Sequence, residues 1–324
     1  EFSSWGEKLA TPSSFDPADF FQTGYSTTSA VSVSLGTKKN QTFASASTTN
    51  AEGIMMGNEY DRYNFTVRNT SNLMNDRMTL DLGASYILQN SRNMPGQGQN
   101  FNMLIPVYLF PRGESFDNIR LYEDYDEGRR IMTQYWPYGD QGLAMQNPYW
   151  IANRNIFTTK RDRYMLNAGL KYEITDWMNI SGRVRVDNTV SHKEKKLYAS
   201  TDGRLAADKG YYMATKGYEK QMYGDLLLNI NKSFGDFDLT ANIGASIFDV
   251  RYDEEGAQGQ LSQLPNFFAF RNIDLEATNS GVIQEGWLEQ TQSVFASAEL
   301  GWKGRLYLSA TARNDWASML ANTK

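Results

Sequence analysis

Two runs of strictly alternating residues, joined by a tight turn, dominate residues 161–188. Apolar side chains occupy every second position from 164 to 174, and the alternation resumes from 178 to 186 after the turn at Thr175 and Asp176. Because side chains alternate between the two faces of a β-strand, this pattern predicts a long antiparallel hairpin with one apolar and one polar face. Each strand has about a dozen residues, close to the ~9–11 that a tilted strand needs to cross a bilayer.

The same unit recurs along the chain, which predicts about ten strands in total. Further alternating segments lie at residues 29–35, 42–48, 63–67, 78–88, 222–230, 237–247, 294–300 and 306–312. The connections are alternately short and long, and the long ones are expected at residues 90–158, 190–217 and 251–286. Short turns at one end and long loops at the other are typical of outer-membrane barrels. The predicted fold is therefore all-β, part of a transmembrane antiparallel up-and-down β-barrel with short periplasmic turns and long extracellular loops.

Aromatic residues gather next to the short turns, as in the interfacial girdle of a membrane barrel. These residues are Tyr172, Trp177, Phe234, Phe237 and Trp302. Mean hydropathy is -0.56, and the chain lacks the run of about 18 apolar residues that a membrane-spanning helix needs, which excludes a helical membrane protein. A soluble antiparallel sheet with the apolar face as its core is the alternative, and the biased loop lengths favour the barrel.

The polar face carries side chains that suit a water-filled or plugged lumen and would be costly inside a dry core. The residues predicted to line the lumen are Arg68, Asp81, Arg183, Arg185, Asp225 and Glu299. The alternation also fixes a register, because a slip by one residue would exchange the two faces. Residues expected to face lipid are Leu170, Val184, Leu228 and Ile243, and residues expected to face the lumen are Lys171, Arg183, Asn229 and Asn242.

The sequence offers little for covalent chemistry. The single histidine, His192, stands in a basic segment predicted to be a solvated loop, and no catalytic triad or histidine metal pair can be assembled around it. An acidic cluster could hold a structural calcium ion through oxygen ligands, although a solvated acidic loop is the simpler interpretation. Its members are Glu123, Asp124, Asp126 and Glu127. We expect no enzymatic activity, no catalytic residue and no other cofactor, and the net charge of -5 gives no nucleic-acid footprint.

The connection at residues 90–158 is too apolar for a disordered tail and is expected to be ordered. Its aromatic side chains could stack on sugar rings or grip a peptide. The candidate ligand-binding residues are Tyr135, Trp136, Tyr138, Tyr149 and Trp150. A loop of this length must also pack on itself, and an internal core is the favoured explanation of the same residues.

Five short motifs, in this order, resemble the SusC/RagA family of TonB-dependent outer-membrane transporters. They are WGEKL at residues 5–9, DFFQTG at 19–24, NPYW at 147–150, TDW at 175–177 and RNDWAS at 313–318. Each motif alone is weak, and their shared order across nearly the whole chain makes the resemblance specific. The sequence departs from the family at Ala317, where a serine is usual.

The resemblance implies part of a 22-stranded transporter barrel, with residues 1–27 as a leading loop and 28–324 as strands and loops of one barrel domain. The plug, the TonB box and the C-terminal strands of the family are expected to lie outside this sequence. The implied function is import of oligosaccharides or peptides across the outer membrane. The implied partners are a SusD-like surface lipoprotein, TonB acting through the N-terminal region, the cargo and the surrounding lipid. The alternatives are an outer-membrane barrel enzyme and a soluble glycan-binding β-sheet protein.

Overall fold

A ten-stranded antiparallel sheet, in which each strand pairs with its neighbours in chain order, forms the body of the protein. The computed structural model describes residues 10–11, 15–94, 98–111 and 113–320, so the WGEKL motif at residues 5–9 lies outside the described residues. The strands are β1 (Tyr25–Gly36), β2 (Asn40–Glu52), β3 (Glu59–Leu73), β4 (Met78–Arg92), β7 (Asn155–Thr175), β8 (Met178–Tyr198), β9 (Gly210–Phe234), β10 (Phe237–Gln260), β11 (Gly281–Trp302) and β12 (Leu306–Ala317). The predicted number of strands is confirmed. Within the described residues, β1 and β12 each pair along one edge only.

The connection between β4 and β7 contains a short 3-10 helix (Phe116–Ile119) and four further elements. These are the helices α1 (Leu104–Tyr108) and α2 (Pro148–Arg154) and the two-stranded ribbon of β5 (Glu123–Asp126) and β6 (Ile131–Gln134). The prediction that this connection is ordered is confirmed. None of the helices in the described part of the chain is long and apolar enough to cross a membrane.

The cross-strand register agrees with the predicted division into two faces. Val184 lies opposite Ala168 and Gly224, and Leu228 lies opposite Ile243. On the other face, Arg183 lies opposite Asp225 and Asn229 lies opposite Asn242. We call the first set the apolar face and the second the polar face. Because the strands pair without a register slip at these positions, each face continues from one strand to the next.

The apolar face forms a band of similar height on neighbouring strands, beginning at the short turns. On β7 the band runs from Tyr172 back to Tyr164, and on β4 it runs from Met78 to Leu88. These stretches of 9 and 11 residues match the ~9–11 that a strand tilted by about 45° needs to cross the hydrocarbon core. Beyond the band, charged or amide side chains occupy the same face, as at Asp162 on β7 and Asp249 on β10.

Aromatic side chains border this band at the short turns, as the sequence predicts. Phe234 and Phe237 stack at 6.0 Å across the turn between β9 and β10. The ammonium of Lys232 lies 4.2 Å from the centre of the Trp177 ring, and that of Lys303 lies 5.3 Å from the Trp302 ring. Rings with an apolar body beside a cation fit a boundary between apolar and wet surroundings.

The central strands are longer than the alternation predicts, which corrects two of the expected loops. β9 and β10 contain 25 and 24 residues, so the connections expected at 190–217 and 251–286 shrink to residues 199–209 and 261–280. The strands continue past the apolar band because their ladder of backbone hydrogen bonds continues, although the apolar and polar alternation ends there. This taller part of the sheet supports the long connections.

Candidate functional site

Ion pairs between neighbouring strands are the main feature of the polar face. The Arg68 guanidinium contacts the Asp81 carboxylate at 2.6 Å, and Thr70 donates to the same carboxylate at 3.0 Å. Arg183 contacts Asp225 at 2.8 Å, and the Asp225 side chain is only 3% exposed. Each of these two carboxylates thus has a cation on the adjacent strand, so these four charges form two matched pairs.

The remaining residues predicted to line a lumen also lie on this face. Glu299 accepts a hydrogen bond from the Ser309 hydroxyl at 2.8 Å. Arg185 lies opposite Asn167 and Tyr223, and no carboxylate of the described residues is within salt-bridge distance of it. All six residues therefore share one surface, as the register predicts.

The connection between β4 and β7 folds onto the polar face at its long-loop end. The Phe101 ring packs edge-on against Phe157 of β7, with centroids 5.0 Å apart. The Lys195 ammonium lies 5.0 Å from the Phe101 ring, 5.7 Å from Phe157 and 5.0 Å from Tyr211. Burial lowers the pKa of Lys195, and the three rings partly replace its lost hydration through cation–π attraction.

The NPYW motif begins α2 and fixes the connection in place. Asn147 caps the helix by accepting a hydrogen bond from the Tyr149 amide at 2.9 Å, and Pro148 occupies the first turn, where its missing N–H costs nothing. The Asn147 side chain also donates to the carbonyls of Ile119 at 2.7 Å and Tyr135 at 3.0 Å. One buried amide thereby ties together three parts of the connection.

Most of the deeply buried side chains belong to the connections rather than to the sheet. Phe20, from the short helical turn at Pro17–Phe20, packs against Tyr149 at 5.3 Å between ring centroids. It joins a core shared by both segments, whose other buried members are Met103, Val107, Phe110, Phe116, Ile119, Ile151 and Ala152. We call this packed structure, made by residues 15–24, 53–58 and 98–154 without the undescribed Arg112, the loop layer.

The five candidate aromatic residues divide into two groups within the loop layer. Trp150 is 0% exposed and Tyr149 is buried with it, so these two rings offer no surface to a ligand in this arrangement and belong to the internal core. Tyr135, Trp136 and Tyr138 are half-buried. Trp136 donates through Nε1 to the Gly139 carbonyl at 2.7 Å and packs edge-on against Tyr138 at 5.1 Å.

One residue of the acidic segment at 123–127 forms an ion pair within the loop layer. Glu123 forms a two-pronged ion pair with Arg154, with both N–O distances at 2.7 Å. This hydrogen bonding raises the pKa of Arg154, since the carboxylate favours the charged guanidinium. No group of three potential metal ligands is found among the described residues.

His192 lies in β8 and not in a solvated loop, which corrects its predicted position. It lies opposite Lys160 and Lys216, and together they line a groove of about 850 Å³ on the apolar face above its apolar band. Phe270 and Leu275, from the connection between β10 and β11, form another side of this groove. The two largest connections therefore cover opposite faces of the sheet.

Three contacts of this region have no local signal in the sequence. The Glu123–Arg154 pair joins positions 31 residues apart, and the Trp150–Thr201 hydrogen bond joins positions 51 residues apart. The Lys195 cation–π cluster combines four segments of the chain. Only the alternation on β7, β8 and β9, read beyond the apolar band, would have placed Phe157, Lys195 and Tyr211 on one face.

Similarity to known proteins is found at the level of the fold. No family model matches the sequence, and no curated protein matches it. A chain of the RagAB peptide importer in its "open-open" state matches 97% of this chain with a TM-score of 0.72 and 18% identity. That match covers 34% of the importer chain, so this sequence spans about a third of its length.

Iron-transport receptors are similar over a comparable share of the chain. The ferric citrate transporter FecA, unliganded, matches 91% of this chain and 35% of its own with a TM-score of 0.56 and 10% identity. The ferric-catecholate import receptor Fiu from E. coli K12 matches 90% of this chain and 43% of its own with a TM-score of 0.53 and 11% identity. The chain thus shares its fold with part of a RagAB importer chain and of TonB-dependent receptors, which confirms, at the level of the fold, the resemblance seen in the sequence.

Proposed function

We propose that this chain forms part of the barrel of a TonB-dependent outer-membrane importer of the SusC type. In this proposal the apolar band faces lipid, the polar face lines the path of the cargo, and the loop layer lies on the extracellular side. The observation that supports this proposal most directly is the apolar band, which extends over 9 residues on β7 and 11 on β4, the length of strand that crosses a bilayer. The chain does no covalent chemistry in this proposal.

The paired charges on the polar face favour a cargo without strong net charge. A lumen lined by one sign of charge would concentrate ions of the opposite sign. The two ion pairs, Arg68 with Asp81 and Arg183 with Asp225, instead have little net electrostatic potential at a distance. They still leave hydrogen-bond donors and acceptors available. Peptides and oligosaccharides fit such a surface better than highly charged iron chelates do, and the RagAB neighbour is a peptide importer.

The partners follow from the same proposal. A SusD-like surface lipoprotein would dock on the extracellular side, where the loop layer is, and TonB would act through the N-terminal region of the complete protein. The RagAB neighbour is itself a two-component importer by its name. Of the five candidate aromatic residues, half-buried Tyr135, Trp136 and Tyr138 keep surface for a cargo or lid contact.

Spin labels on adjacent residues of β8 test the assignment of the faces. The chain contains no cysteine, so a single substitution adds one reactive thiol to this part of the transporter. A nitroxide at Val184→Cys should be relaxed by oxygen dissolved in lipid, and one at Arg183→Cys by a water-soluble nickel complex, because their side chains point to opposite faces. Measured in the full-length transporter in lipid vesicles, the reverse pattern at both sites would exclude a lipid-facing apolar band.

Alanine at both Trp136 and Tyr138 tests the loop layer as a contact surface. We expect uptake or lipoprotein association to fall by about tenfold or more, since aromatic anchors often contribute over 1–2 kcal/mol to an interface. Both quantities would be measured in cells at matched surface abundance, with the exposed Leu121→Ala in the same connection as the control. Unchanged uptake and association in the double variant would show that these two rings only stabilise the loop layer.

A further inference from the structure

A row of basic side chains crosses three neighbouring strands on the apolar face, above the apolar band. Lys160 of β7 lies opposite His192 of β8, which in turn lies opposite Lys216 of β9. Adjacent strands are about 4.8 Å apart, so the row extends over roughly 10 Å. All three residues line the groove of about 850 Å³ on this face. The row therefore places two ammonium groups and an imidazole, which donates an N–H in either protonation state, along one side of the groove.

The two lysines of this row are available to an anion. Lys160 is exposed and Lys216 is half-buried, and neither forms a salt bridge with a carboxylate of the described residues. Glu194 also lines the groove, but both of its carboxylate oxygens have partners. One accepts from the Lys196 ammonium at 2.9 Å, and the other accepts from the Tyr212 hydroxyl at 3.0 Å.

The other carboxylates near the row lie on the flanking strands. Glu255 of β10 ends the row, and Asp253 of the same strand pairs with Arg251 at 2.7 Å. Asp162 of β7 accepts a hydrogen bond from the Tyr86 hydroxyl at 3.3 Å. On the central strands β8 and β9, the apolar-face positions between the band and the row are Asn188, Val190, Tyr218 and Lys220. The central approach to the row thus has one further cation and no carboxylate.

An apolar wall runs along the same groove. It is formed by Phe270 and Leu275, from the connection between β10 and β11, and by Val282 at the start of β11, and each of these side chains is more than half exposed. The connection is held in shape by the buried Asn272, whose side chain donates to the Leu264 carbonyl at 2.8 Å. Exposed apolar side chains beside ammonium groups suit an amphiphile better than a free ion.

The groove lies too far above the apolar band for the headgroup of a phospholipid. Lys160 is four residues beyond Tyr164, where the band of β7 ends. At ~3.4 Å per residue and a tilt of about 45°, its backbone is roughly 10 Å above the edge of the hydrocarbon core. The headgroups of a phospholipid bilayer extend only about 5–8 Å beyond that core on each side. A lipid that fills the groove therefore needs a larger headgroup.

We infer that this groove binds the headgroup of a phosphorylated glycolipid of the outer leaflet, with a phosphate group on the row of Lys160, His192 and Lys216. Ammonium and imidazole N–H groups form strong hydrogen bonds with phosphate oxygens. Sugar rings extend the headgroup to the height of the row, and the exposed ring of Phe270 offers them a flat apolar surface. The acyl chains would lie on the apolar band below. The inference rests on the proposed function, because only a lipid-facing band places a leaflet below the groove.

Binding of rough lipopolysaccharide, a phosphorylated glycolipid with acyl chains, tests the inference. The full-length protein would be purified in a nonionic detergent and titrated in native mass spectrometry. Phosphatidic acid, which has acyl chains and a phosphate but no sugar, and glycerol phosphate, which has the phosphate alone, separate the possible sources of the anion. The wild type should bind lipopolysaccharide at least about tenfold more tightly than phosphatidic acid, and an equal concentration of glycerol phosphate should not displace it.

Three variants report on the basic row. Lys160→Gln/Lys216→Gln should weaken lipopolysaccharide binding by about 30-fold, since each lysine near an anionic lipid contributes roughly fivefold. Lys171→Gln/Arg185→Gln removes the same charge from the polar face and should leave binding unchanged. Glu255→Gln removes the carboxylate at the end of the row and should tighten binding by about threefold, a gain that loss of folding cannot produce.

Equal binding by the wild type and Lys160→Gln/Lys216→Gln would overturn the glycolipid site. Equal affinity for phosphatidic acid, or displacement by glycerol phosphate, would overturn it as well, because the sugars or the acyl chains would then contribute nothing. The proposed importer would survive these results if the nitroxide at Val184→Cys is still relaxed by oxygen dissolved in lipid. The reverse relaxation at Val184→Cys and Arg183→Cys would instead overturn the proposed function, and the glycolipid site with it.

Discussion

Val184→Arg is expected to destabilise the full-length protein in a bilayer by about 2–4 kcal/mol, because the proposed function places Val184 on the lipid face of a barrel, where arginine has that cost near the midplane. Val184 lies within the apolar band of β8, opposite Ala168 and Gly224, so no carboxylate on a neighbouring strand can pair with the new charge. The measurement is the free energy of unfolding of the full-length protein in lipid vesicles by urea titration. If the Val184→Arg variant also folds more slowly, less of it should accumulate in the outer membrane.

Ser246→Arg is the matched control for this prediction. Ser246 lies on the polar face opposite Asp225, at the level of the Arg183–Asp225 pair. An arginine there reaches water and a carboxylate, so the expected change is below about 1 kcal/mol. Equal destabilisation by both substitutions would mean that the two faces have similar surroundings, which is incompatible with a membrane-spanning band.

The alternation of residue types was sufficient to predict the sheet inside the apolar band. There one face of the sheet is apolar and the other is polar, so the sequence has a period of two. Leu170 and Lys171 follow this pattern, and their faces are as predicted. The six polar-face residues were predictable for the same reason.

Above the band both faces become polar, and the same signal disappears. On β8 the apolar-face series continues as Asn188, Val190, His192 and Glu194, which alternation alone cannot distinguish from a loop. The backbone ladder nevertheless continues, because strand pairing requires backbone hydrogen bonds and not a particular side-chain pattern. This is why the loop expected at residues 190–217 begins nine residues later than expected, at 199.

The loop layer shows a different limit of sequence reasoning. Its composition correctly predicts order, since so many apolar side chains must be buried. It cannot predict which partner each one finds: Trp150 is enclosed within the layer, whereas Trp136 in the same connection is half-buried. Such contacts depend on chain segments that are distant in sequence, as in the Trp150–Thr201 hydrogen bond.

Trp150→Ala is expected to destabilise the loop layer by about 3–5 kcal/mol, as for other large aromatic side chains removed from a core. Trp150 is 0% exposed, and its Nε1 donates a hydrogen bond to the Thr201 hydroxyl. That hydroxyl in turn donates to Asn155 Oδ1 at the start of β7. The substitution leaves a cavity and removes the donor to the Thr201 hydroxyl, so α2 should lose its contact with the connection between β8 and β9. The sheet has its own ladder of hydrogen bonds, so we expect the layer to open locally while the strands persist.

Hydrogen exchange in the full-length protein would measure this opening directly. Amides of α2 and of the segment around Thr201 should exchange about 100-fold faster or more in Trp150→Ala, since each 1.4 kcal/mol of opening free energy is a factor of ten. Amides of β8 within the apolar band should be unchanged. Trp136→Ala is the control, because its ring is half-buried and its Nε1 bonds only within its own turn, so its effect should stay near 1 kcal/mol. If the two variants accelerated exchange equally, Trp150 would not be the residue that holds the loop layer to the sheet.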